Sequence, residues 1–199
     1  MNDQILNIAF EQHVDQEAVT QLQQTLAVLG NEVEFHEVPD KGPQASLLLL
    51  GMSSVALIFG GAFAKKLGER AAEDSWPLIK KGLSKIYQKY FGENPEHKVV
   101  IFTSSEKKAP DSKYSLILSL YCVGKNGQRV KFLYESKWTQ VQFDKATEVY
   151  LSSISEFVAL GSGEVQALID KSPSKQSLAL VAWDDQNQRL ISVNVLPNL

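Results

Sequence analysis

Residues 42–64 read GPQASLLLLGMSSVALIFGGAFA, a run without a charged side chain between Lys41 and Lys65-Lys66. Its length and apolarity suit a helix that crosses a bilayer, yet the segments on both sides carry soluble α/β patterning. A single crossing would strand the upstream residues away from the sheet they need. A return crossing is excluded because the next helix carries Lys80, Lys81, Lys85 and Lys89 along its length. The run therefore reads as a helix from Gly42-Pro43 to about Ala72, kinked at Gly60-Gly61 and apolar nearly all round because protein covers it. Ala56, Gly60 and Ala64 would form its small-residue ridge, open to close approach by another element. Insertion of the 45–64 segment into a membrane is the competing expectation.

Working outward, Ile5 to Glu11 has strand character, and Asp15 is placed to cap a helix with Val19, Leu22, Leu26 and Leu29 on one face. Gly30-Asn31 ends it, and Glu32 to Val38 is a second strand. A helical crossover makes these two strands parallel. Downstream, Ser75 opens a helix with Ile79, Leu83, Ile86 and Tyr90 on one face and Lys81, Lys85 and Lys89 on another. Lys98 to Thr103 is a short strand. Tyr114 to Val123 alternates, with Tyr114, Leu116, Leu118, Leu120 and Cys122 on one side, and turns through Gly124 to Gly127 into Arg129 to Glu135. Asp144 opens a helix that Gly161 stops, and Leu178 to Trp183 with Leu190 to Val195 forms a last hairpin. The fold class is α+β: a mixed sheet built from an N-terminal β-α-β unit and C-terminal antiparallel hairpins, with an inserted apolar plus amphipathic helical pair. The segments are 1–41, 42–92 and 93–199.

The 199 residues are 44 % hydrophobic and 22 % charged, an ordinary globular composition. The net charge of −3 is unevenly spread. Residues 1–41 hold eight acids against Lys41 alone, residues 42–91 hold seven bases against Glu69, Glu73 and Asp74, and the remainder balances. Pairing of the acidic start with the basic middle is the plainest outcome. No charged n-region with an apolar h-region opens the chain, so a cytoplasmic location is expected, with membrane association as the alternative. Nucleic acid is disfavoured as a partner, since no aromatic and basic strand pattern exists to track phosphates.

Catalytic signatures are sparse. Cys122 falls on an apolar strand face, where a thiol is a small hydrophobe and not a nucleophile. The chain has no P-loop, no dinucleotide fingerprint and no nucleophile elbow. Glu11 and His13 end the first strand, while Glu34 and His36 lie near the end of the second. In a parallel pair all four could meet at the carboxyl edge as metal candidates, but a solvated polar face is the better reading, because a half-buried strand requires polar residues alternating with Val33 and Phe35. No cofactor is implied. The expected role is that of a non-enzymatic interaction or regulatory protein, with a protein partner or self-association through the helical pair: Leu50, Val55, Ile58, Phe59, Phe63, Trp76, Lys81, Lys85 and Lys89. A membrane-active effector and a small metal-dependent hydrolase are the alternatives.

Overall fold

The computed structural model describes residues 6–39, 53–70, 75–98, 113–171 and 178–194. The β-α-β unit is present as β1 (Leu6–Glu11), α1 (Gln16–Leu26), a 3-10 stretch (Ala27–Glu32) and β2 (Val33–Val38). Its strands are parallel, with Leu6 opposite Val33 and Glu11 opposite Val38. Asp15 caps α1 by accepting from the Ala18 N–H at 2.8 Å, and Val19, Leu22 and Leu26 are buried as the periodicity requires.

The apolar run departs from expectation. Residues 55–59 are not helix but a strand, β3 (Val55–Phe59), which lies antiparallel to β1 and parallel to β4 (Tyr114–Val123). The composition explains it: Val-Ala-Leu-Ile-Phe is a short run rich in β-formers, and a strand covered on both faces shows continuous apolarity and no alternation. Val55, Leu57 and Phe59 enter the main core, while Ala56 and Ile58 face the other way. Gly60-Gly61 is thus a strand-to-helix junction and not a kink, and α2 (Gly61–Arg70) follows. The expected helix start at Gly42-Pro43, Leu47 to Leu50, and all but the first residue of the strand expected from Lys98 to Thr103 lie outside the described residues. No helix among the described residues is long and apolar enough to cross a membrane.

After α3 (Ser75–Tyr90) and β4 come β5 (Arg129–Glu135), α4 (Gln140–Leu160), α5 (Glu164–Asp170), β6 (Leu178–Asp184) and β7 (Arg189–Ser192). The seven strands among the described residues make one mixed sheet in the order β2-β1-β3-β4-β5-β6-β7. Two antiparallel hairpins, β4–β5 and β6–β7, supply its C-terminal half, as the turn sequences indicate. The segment 42–92 is therefore more than a helical insert, because it contributes the strand that joins the two halves.

The helices α1 to α4 cover one face of the sheet and share a continuous core with it. On α3, Ile79, Leu83 and Ile86 are buried against α1, and Gly82 permits the approach: a Cβ there would sit 2.5 Å from Leu22 Cδ1. The expected pairing with the acidic start is seen at Lys89, which contacts Glu17 at 3.3 Å, while the other acids met by this helix come from later in the chain: Glu96 at 2.9 Å from Lys89 and Glu148 at 3.5 Å from Lys80. α4 begins at Gln140, not Asp144. Thr139 and Gln142 form a capping box that the sequence carries as T-x-x-Q. Gly161 ends the helix in the left-handed region.

β4 also differs from simple alternation. Its register slips between Tyr114, opposite Glu135, and Ser119, opposite Leu133. Tyr114 consequently packs with Leu133, Leu180 and Ala182 on the far face, and Ile117 replaces Leu116 in the core. Cys122 is 1 % exposed among the core residues, and burial pushes its thiol well above the usual range.

Candidate ligand-binding site

Parallel pairing of β3 and β4 sends the carboxyl ends of both strands to the same edge, with Phe59 opposite Cys122. Beyond these ends the chain must turn twice, through Gly60-Gly61 into α2 and through Gly124-Lys125 toward β5. A cavity of about 410 Å³ lies between the two turns. Such edges are where α/β sheets place ligands, because loops diverge there and helix N-termini point inward.

The cavity gathers three kinds of donor. The first helical bond of α2 runs from the Ala64 N–H to the Gly60 carbonyl at 2.8 Å, so Gly60 occupies the capping position. Glycine offers no side-chain acceptor, which leaves the N–H groups of Gly61, Ala62 and Phe63 without an intrahelical partner and with the positive end of the helix dipole behind them. Lys65 and Lys125 line the same space. The third donor is Asn7, which is 4 % exposed. Its Oδ1 lies 3.1 Å from His36 Nε2, while its Nδ2 is buried without a hydrogen-bond partner. An unmet buried N–H costs about 1–3 kcal/mol, so a polar ligand in the cavity would relieve a real penalty.

The apolar wall comes from Ile58, Val158 and Ala159. Gly124 is required for this closeness, since a Cβ there would lie 2.5 Å from Phe157 Cζ. The arrangement can hold a compact anion at the helix terminus and an apolar substituent beside α4.

The residues singled out in the sequence go elsewhere, apart from Ile58 and Phe59. Val55, Phe59 and Phe63 are core, Leu50 lies outside the described residues, and Lys81 is exposed while Lys85 is half-buried. Trp76 is half-buried with its Nε1 unpartnered, and Lys89 is held between Glu17 and Glu96. These residues form no common surface, because the apolar half of the supposed helical pair is a strand inside the sheet. Ile58 and Phe59 line the cavity, Phe59 from its place in the core.

The acid and histidine edge also divides. Glu11 Oε2 lies 3.6 Å from His13 Nδ1, and Glu34 Oε2 lies 3.6 Å from His36 Nε2. The register sets Glu34 opposite Asn7 and Glu11 opposite Val38, so the two pairs stand four residues apart along β1. Among the described residues no group of three or more His, Cys, Asp or Glu is placed to hold a metal ion. The sequence did contain a signal for the cavity, a strand followed by Gly-Gly, a helix and Lys65, but reading 55–59 as helix concealed it. Comparison with family models, with curated protein sequences and with solved structures yields no match.

Proposed function

We propose that this chain is a binding protein for a small organic anion, a phosphate monoester by preference, held at the carboxyl edge of β3 and β4. The observation that carries the reading is the convergence on one cavity of a helix N-terminus that opens on glycine and the buried Asn7 Nδ2, which has no hydrogen-bond partner. Backbone N–H groups and lysines match the charge and acceptor count of a phosphate better than a single carboxylate does. The volume falls in the range of small-molecule sites, and the Ile58 and Val158 wall suits an apolar ester group. A regulatory role follows naturally, since a ligand at the junction of β3 with α2 touches the strand that joins the two halves of the sheet.

Phenyl phosphate and inorganic phosphate are the probes. At roughly ten times its Kd a ligand adds about 1.4 kcal/mol, which raises the melting temperature of a chain this size by roughly 3–5 °C. We expect such a rise with phenyl phosphate over chloride of matched ionic strength, a smaller one with phosphate, and loss of both in Lys125→Glu. An unchanged melting temperature at millimolar phenyl phosphate, or an equal rise in Lys125→Glu, rejects the reading.

A further inference from the structure

At the opposite end of β3 a second set of side chains converges. Ser54, immediately before the strand, has its Oγ 3.2 Å from His13 Nε2. The other ring nitrogen of His13, Nδ1, faces Glu11 Oε2 at 3.6 Å. The order is hydroxyl, imidazole, carboxylate, with each ring nitrogen given to a different partner. A carboxylate beside Nδ1 favours the tautomer that carries its proton there, which leaves the Nε2 lone pair to accept from the serine.

The backbone holds this set in place. The Ser54 N–H donates to Leu116 O at 3.0 Å and the Glu11 N–H donates to Ser54 O at 2.8 Å, so Ser54 is fixed between β1 and β4. The Val14 N–H closes the turn that carries His13 by donating to Glu11 O at 3.1 Å. Glu11 and Ser54 are buried while the His13 side chain is 46 % exposed, so the relay opens to solvent on the imidazole side. The first turn of α1 starts on the same edge, with the positive end of its dipole there.

We propose that Ser54 is a nucleophile activated by His13 and oriented through Glu11, acting on small carboxylic esters. Ser54 Oγ attacks the ester carbonyl as its proton passes to His13 Nε2. The new Ser–acyl bond forms, the alkoxide leaves, and His13 returns the proton to it as alcohol. Water then attacks the acyl-serine with His13 again taking a proton, releasing the acid and restoring the Ser54 hydroxyl. The low exposure of Ser54 restricts the acyl group to a small one. This site lies a full strand length from the anion cavity and does not depend on it.

The test treats the full chain with an alkyl fluorophosphonate, which forms a P–O bond to an activated serine with loss of fluoride, and maps the adduct by tandem mass spectrometry. We expect one adduct, on Ser54, absent in Ser54→Ala and unaffected in Ser53→Ala. His13→Gln should slow labelling and p-nitrophenyl acetate hydrolysis by roughly tenfold or more, and Glu11→Gln by less. Circular dichroism shows whether each variant is folded. No adduct on Ser54, an adduct elsewhere instead, or an unchanged rate in folded His13→Gln overturns the proposal. Should a variant lose its fold, the adduct position on the parent chain decides alone.

Discussion

Tyr150 shows how much one side chain of α4 contributes to the sheet. Its hydroxyl donates to Leu133 O at 2.7 Å and accepts from the Trp183 N–H at 2.7 Å, bridging β5 and β6 where their ladder ends. Tyr150→Phe keeps the tilted ring contact with Phe132 but leaves a buried carbonyl and a buried N–H unmet. We expect a loss of about 2–3 kcal/mol, read as a lower urea midpoint with unchanged slope. Asp15 is a residue of the surface, and its effect depends on pH. The Ala18 N–H first, with Lys89 and His97 adding, holds its carboxyl below the usual range. A depressed folded pKa means stabilisation that is complete above the unfolded value near 3.9 and lost as pH falls through the folded one. Asp15→Asn keeps the capping oxygen and removes the titration. The parent should exceed it by about 0.5 kcal/mol at neutral pH, with the gap closing below about pH 3 in urea titrations.

Among elements, α3 and α1 are brought together by a glycine. Helix propensity alone would make Gly82→Ala stabilising by about 1 kcal/mol. Here the added methyl would meet Leu22 Cδ1 at 2.5 Å, and Leu22, 1 % exposed within the core, would have to repack to admit it. The steric cost of about 1–3 kcal/mol should win, lowering the melting temperature by several degrees in calorimetry. A stabilised variant would show that the interface is looser than these distances indicate. β3 teaches the complementary lesson. Its five residues are apolar on both faces, and periodicity cannot distinguish such a strand from a buried helix. Length and boundaries could: five β-favouring residues between Ser53-Ser54 and Gly60-Gly61 are short for a helix and ordinary for a strand.

For the whole molecule, Tyr134 and Tyr150 inside the core, with half-buried Tyr121 outside it, set the alkaline limit. Burial pushes the Tyr121 phenol up to about 12 and raises those of Tyr134 and Tyr150 above their usual value. The unfolded chain then loses these protons first, near pH 10, so stability falls as pH rises beyond that point. Tyrosinate absorbance should therefore appear together with loss of circular dichroism, between about pH 10 and 12. Tyrosinate appearing in a fully folded chain would contradict this burial. Across the same molecule, the sequence by itself determined those features carried by local pattern: the parallel β-α-β start, the two hairpins, the core face of α3, the burial of Cys122 and the contact of Lys89 on α3 with Glu17 of the acidic start. Capping residues, turn residues and alternation act over a few positions, so they are readable in order along the chain. The tertiary structure decided the rest. Whether 55–59 is strand or helix depends on β1 and β4 being available on both sides, and their pairing residues lie more than forty positions away. The slip in β4, the meeting of Asn7 with Gly60 and Lys125, and the meeting of Ser54 with His13 are products of that assembly. Each joins residues that only a completed sheet brings within reach.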